Sequence, residues 1–459
     1  MIGVAMKRSL KLAAALSAVA VVTALSGCSS QSGSDDVLTV WTFKQSEVSA
    51  LEAVGKAWGA KNGMTVKVSV YTPDDAYLTK VQAAAKSKTL PDIVSVHSQG
   101  EDWKLAQAGI IQDISDEFDS SWQKDFLPGV VESATITKDA IANSGTDPAT
   151  TYKDLKAGHS YAVPYLAGTP GVVFANKKLL AAAGVDADTP PATWQDWIAD
   201  IQKTHDADSA SGGIVTGLQV PETGYYWLYR PLSYAYLGED AFYGRQSRDQ
   251  DPAWTSDASV KTLNLYNQLT PLWVPGVLSL GIDQADQTFA TGKAAWDVGG
   301  TFTLSSLSTF GLSADDVSVF SVPPASGGAS ETLSYQASPL ISGAVTSTTK
   351  HKEQSISFLK YLTSTKGATT FAEKANDLPA TAIPADSLSS PLLQQLVGLV
   401  TAKGGEKAFN PNDFSADPGE TVAHDTAVEL AKLPAKESSP SQVASSLTDL
   451  YAAAWKAVG

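Results

Sequence analysis

Strand and helix character alternate over one early stretch of this chain. "VLTVWTF" (37–43) is rich in β-formers, "TVKVSVY" (65–71) alternates, and "DIVSV" (92–96) is a short apolar run. Residues 46–61 have helical character, and "AYLTKVQAAAKSKTL" reads as a helix stopped by Pro91. A β-α-β-α-β order predicts an α/β fold with a largely parallel sheet. Ligands of such sheets sit beyond the carboxyl ends of the strands. Those ends supply Trp41, Phe43, Lys44 and Gln45, then His97, Ser98, Gln99, Glu101 and Asp102.

The chain before the first strand is of another kind. Lys7, Arg8 and Lys11 precede an uncharged, mostly apolar run (12–25), and "LSGC" (25–28) closes it. This is the layout of a secretory signal. The run falls short of the ~20 residues that span a bilayer. Cys28 is the only cysteine, so no internal disulfide can form and the fold must rest on its core. "LSGC" resembles the bacterial lipobox, where cleavage precedes the cysteine and its sulfur carries a diacylglycerol. Stable anchoring takes about two lipid signals, and a diacylglycerol supplies two chains at one thiol. The expectation is a signal peptide over 1–27, lipidation at Cys28 and a flexible tether over 28–36. Roughly 430 residues would remain, too many for one ordinary core and suited to two lobes. A net charge of −15, with the basic residues scattered, disfavours nucleic acid and anionic membrane surfaces as partners.

Further along, residues 143–160 read as an exposed excursion. Thr193 can cap a helix with Asp196 three residues on, and Trp194, Trp197, Ile198 and Ile201 then share one apolar face. "DQTFATGKAAWDVGG" reads as helix, glycine stop, short strand and glycine turn, with Trp296 facing the core. "EQSISFLKYLTSTKG" reads as an amphipathic helix ending at Gly367. Val443, Leu447, Leu450, Tyr451, Ala454 and Val458 mark a terminal docking helix.

Motifs for chemistry are missing. None of the five histidines stands at a metal-binding spacing, and no nucleophile elbow, phosphate loop or dinucleotide fingerprint occurs. No metal or cofactor is expected. Carboxylates are plentiful, and two of them ~5–10 Å apart could hydrolyse a glycoside, so a secreted lipoprotein glycoside hydrolase stays open. The conspicuous feature is aromatic density: "YYWLYRPLSYAYLG" (225–238) holds six aromatics against a chain average of 8%. Tyr and Trp join an apolar face to a polar tip, which suits a sugar ring. Tyr225, Tyr226 and Trp227 are assigned to a site, Tyr234 and Tyr236 to packing.

Several segments together carry a resemblance: "PDIVSV", "YAVPYLAGTPGVVFANKKLLAAAGVDADTPPATWQDW", "FATGKAAWDVGG" and "SGAVTSTTKHKEQSISFLKYLTSTKG". In that order they resemble the family 1 extracellular solute-binding proteins, the carbohydrate receptors of ABC importers and relatives of maltose-binding protein. The resemblance implies a two-lobe periplasmic-binding-protein-like fold of type II, with the ligand in the interlobe cleft. It implies crossings near 164, 322 and 375, hence an N-terminal lobe of 37–163 plus 323–374 and a C-terminal lobe of 164–322 plus 375–459. It adds Tyr165 and the turn Gly300-Thr301 to the site. Where many relatives carry a stacking Trp after this turn, the chain has Thr301 then Phe302, so either Phe302 or Trp227 takes that role. The implied protein is a non-catalytic monomer, anchored on the outer face of the cytoplasmic membrane. It would pass an oligosaccharide to ABC transporter permease subunits. A same-fold receptor for a polyamine or peptide stays open beside it.

Overall fold

The computed structural model describes residues 36–72, 74–144, 151–401, 408–411, 413, 416–418 and 421–457. The signal peptide, Cys28 and nearly all of the tether lie outside them.

Two sheets organise the described chain. The first has the order β2-β1-β3-β9-β4, from Thr65–Val70, Val37–Thr42, Ile93–His97, Ser338–Val345 and Val163–Gly168. β1 runs parallel to β2 and β3, while β9 is antiparallel to β3 and β4. The second has the order β6-β7-β5-β8, from Ile214–Val215, Trp296–Gly300, Pro170–Asn176 and Val317–Ser321. Each sheet has its own buried apolar cluster, the first around Leu38, Val94 and Ile341, the second around Phe174, Trp197 and Trp296. The C-terminal helix Pro440–Ala457 packs into the second, through Val443, Leu447 and Tyr451.

The chain passes between the sheets at Thr169, because Val163–Gly168 completes the first sheet before Pro170 opens the second. The crossing expected near 164 therefore lies later. The return runs between Ser321 and Ser338. A third passage follows the helix Thr365–Ala375, where Leu378 and Ala380 pair with Ala167 and Tyr165 beside β4.

Local sequence explains most element ends. Thr193 accepts the Asp196 amide and starts the helix Trp194–Ala207, whose Trp194, Trp197 and Ile201 are buried. Two ends differ from expectation. The helix Asp74–Ser87 stops before Pro91, because Lys88 takes a left-handed φ of 59°. The helix Lys352–Leu362 also stops early, and Ser364 caps a new helix by accepting the Gly367 amide. Gly367 is thus an early position of a helix rather than a stop. A side chain there would collide with the Tyr361 carbonyl. No described helix is long and apolar enough to cross a membrane.

Candidate functional site

The first lobe offers the ends of two parallel strands. After β1, Phe43 is buried and stacks on His97, with ring centroids 4.4 Å apart and planes 28° apart. After β3, the loop is held by its own side chains. The Glu101 carboxylate accepts the His97 amide at 2.7 Å, Gln99 Nε2 donates to the Ser133 carbonyl at 3.1 Å, and Ser98 bonds Ser342 at 2.7 Å. Asp102 is buried, accepts the Gly100 and Trp103 amides, and is pushed up to about 7 by burial. His97 and Gln45 are exposed.

Two expected residues point elsewhere. The Trp41 ring packs on Tyr71 at 4.9 Å and under Lys80 at 5.1 Å, the latter on the helix Asp74–Ser87. Tyr165 is buried in the first lobe, where its hydroxyl donates to Glu47 Oε2 at 2.7 Å and receives Ser95 at 2.8 Å. It was expected just past the first crossing, but that crossing lies beyond it.

The second lobe offers aromatics. "TGYYWLY" is wound as a π-helix, Thr223–Tyr229, with the Arg230 amide reaching back five residues to the Tyr225 carbonyl. Such windings recur at functional sites. Tyr225 is fully buried among Tyr226, Tyr229 and Arg230, so it packs rather than faces a ligand. Tyr226 and Trp227 are half-buried. Trp227 meets Phe302 edge-on at 5.7 Å. The Phe302 ring lies so close to Gly300 that any Cβ there would strike it. Trp296 is buried and donates to Thr204 on the helix Trp194–Ala207.

Between these edges lies a polar floor. The Lys44 ammonium meets Asp377 Oδ2 at 2.6 Å, and Asp377 is fully buried beside the third passage. Burial pulls Lys44 down, but Asp377, Glu47 and Asp286 more than offset it and hold the lysine above its ordinary value. Glu47 is buried and pushed up to about 7 by desolvation, against the pull of Lys44 and Tyr165. Ser46 of the first lobe lies 3.5 Å from Ser305 of the second, and the Thr301 amide donates to Thr169. Lys44 thus sits at the third passage through Asp377, and Thr301 at the first through Thr169. Asp286 and Asp297 complete this floor and have no counterpart in the sequence reading. An acid inside the strand "WDVGG" was the available signal. No group of metal-ligating side chains occurs among the described residues.

The model for bacterial extracellular solute-binding proteins matches residues 44–369, more than half of the chain. The chain belongs to that family. The family is one of extracellular solute-binding proteins. Among solved structures, the chain is similar to a protein of Caldanaerobius polysaccharolyticus described for xylan utilization. Their TM-score is 0.65 at 20% identity, covering 90% of this chain and 99% of that one. It is also similar to the GacH receptor of Streptomyces glaucescens, solved unliganded and with acarbose, with a TM-score of 0.61 at 20% identity, covering 92% and 98%. In sequence it resembles an sn-glycerol-3-phosphate-binding periplasmic protein of Yersinia pestis, 30% identical over 136 residues. That match spans 28% of this chain and 26% of the relative.

Proposed function

We propose that this solute-binding protein captures an oligosaccharide between its two lobes by hinge closure and delivers it to an ABC permease as a monomer. It would be held at the outer face of the cytoplasmic membrane by a lipid on Cys28. The observation that carries this reading is the pairing of aromatic edges, Phe43–His97 on one lobe and Trp227–Phe302 on the other, around a polar floor. Such edges suit the flat C–H faces of sugars, and the floor supplies the few placed polar groups that orient them. Gln45, Ser98, Gln99, Tyr226 and Thr301 are the remaining candidates for contact. Closure needs a ligand that binds the closed form better than the open one.

Similarity to sn-glycerol-3-phosphate-binding proteins supports a second reading. The floor argues against it, because Lys44 is already paired with Asp377 and has Glu47 and Asp286 near it. A phosphate there would meet carboxylates.

Calorimetry on the mature chain with xylo-, chito- and malto-oligosaccharides, sn-glycerol 3-phosphate and spermidine tests the reading. A glycan should bind, without cleavage on chromatography, and scattering should show a smaller radius of gyration when it is saturating. Binding of the phosphate or of spermidine alone would overturn it, and turnover would mark a hydrolase.

A further inference from the structure

The return between the lobes carries a buried hydroxyl that nothing satisfies. Tyr335 is 2% exposed, and its hydroxyl finds no hydrogen-bond partner among the described residues. A polar group left unpaired in the interior is costly, and native structures hold few of them. The residue is held in place from both sides. The Phe409 carbonyl accepts the Gln336 amide at 2.9 Å, and the Phe409 amide donates to the Ser334 carbonyl at 2.8 Å. The Phe409 ring then packs on that of Tyr335, with centroids 6.0 Å apart.

The unpaired hydroxyl lies beside the aromatic platform of the second lobe. A Cβ added to Gly171 would stand 2.8 Å from the Tyr335 hydroxyl and 3.2 Å from the Trp227 carbonyl oxygen. Gly171 follows the first crossing, takes a left-handed φ of 80° and accepts the Val322 amide at the start of the return. Glycine alone leaves this seat open, and a donor and an acceptor stand on either side of it. The acceptor lacks its ordinary helical donor. Four residues after Trp227 comes Pro231, which has no N–H to give. The Arg230 amide before it reaches back to Tyr225 instead.

We propose that Tyr335 is a positioning residue for Trp227: its hydroxyl donates to the Trp227 carbonyl once the lobes close, and the arrangement described above precedes that step. This rests on the closure reading above. Closure turns the lobes about their crossings, so it moves the return, and Tyr335 with it, against the π-helix Thr223–Tyr229. A bond made in one arrangement and unmade in the other favours the first. It also ties the main chain of the platform to the hinge. The half-buried Trp227 ring is then fixed as the solute is enclosed, and Tyr335 itself touches no solute.

Tyr335→Phe removes the hydroxyl and keeps the ring. Without solute, the mature chain carrying it should melt at the same temperature as the parent or higher, because an unpaired buried hydroxyl has gone. Calorimetry with chitohexaose, xylohexaose and maltohexaose should show affinity lowered roughly 3- to 10-fold, the worth of one hydrogen bond. A tyrosine with a structural role alone would lower both or neither. An earlier melt, or unchanged affinity, overturns the proposal and leaves the sugar reading intact. If no glycan binds the parent, the sugar reading falls, and a second arm that needs no solute decides. The tryptophans are replaced by 5-fluorotryptophan, and Trp227→Phe assigns the Trp227 signal in 19F NMR. Tyr335→Leu, which removes ring and hydroxyl together, should shift that signal. The signals of Trp58 and Trp122, buried in the first lobe, should stay in place and report a folded chain. An unmoved Trp227 signal overturns the proposal.

Discussion

The two edges that face the crossings are built from different chemistry. On the first lobe, the loop after β3 is tied to itself and its neighbours, through Glu101 to His97, Gln99 to Ser133 and Ser98 to Ser342. On the second, Trp227 and Phe302 meet through ring edges, on a π-helix and a tight glycine turn. Directional bonds fix orientation, whereas broad rings supply area at low rotamer cost. The difference teaches that aromatic density alone does not mark a site. Within three consecutive residues, Tyr225 is core and Trp227 lies at the edge.

That contrast can be broken by mutation. The largest effect should come from Trp197→Ala, which empties a fully buried position and should cost ~3–5 kcal/mol of stability. Denaturant melts would show it, with glycan affinity little changed at temperatures where the variant is folded. Tyr225→Ala should behave the same way, with a loss of ~3 kcal/mol or more. A normal melt with lost binding would return Tyr225 to the site. Trp227→Ala should weaken glycan binding by roughly 30-fold, the ~2 kcal/mol of a buried aromatic anchor, while lowering the melting temperature far less than Trp197→Ala. Calorimetry beside thermal melts separates these outcomes.

Glu47 sharpens the polar side of the comparison. Its folded value of about 7 stands above the unfolded ~4.3. Between those values the native state holds the proton and the unfolded state does not, so stability falls as pH rises through that window. In Glu47→Gln this part of the pH dependence should disappear, as read from melts across the window. An unchanged slope would mean that other groups set it. The smallest effect is expected from His97→Ala, whose ring is exposed and covers only one face of Phe43. Affinity should fall a few-fold, by ~1 kcal/mol or less.

Much of the fold was legible because periodicity and capping act locally. Thr193, Trp194, Trp197 and Ile201 stand where a capped amphipathic helix puts them, and Trp296 faces the core as its strand position implied. The site was less legible because side-chain direction depends on partners distant in sequence. Trp41 turns to Tyr71 and Lys80, and Tyr165 turns inward to Glu47. The acids of the floor were missed for the same reason. Glu47, Asp286, Asp297 and Asp377 come from a short 3-10 turn, a helix, a strand and a crossing, and no short motif joins them.

The winding of "TGYYWLY" has an evolutionary corollary. A π-helical stretch carries more residues per turn than the α-helix around it. Deleting one residue there returns the run to ordinary helical winding, and the elements on either side keep nearly the same angle because the wide turn had absorbed the extra residue. A receptor lineage could thus change which ring of its second-lobe platform meets a solute through a single-codon deletion, with the elements on either side left as they are.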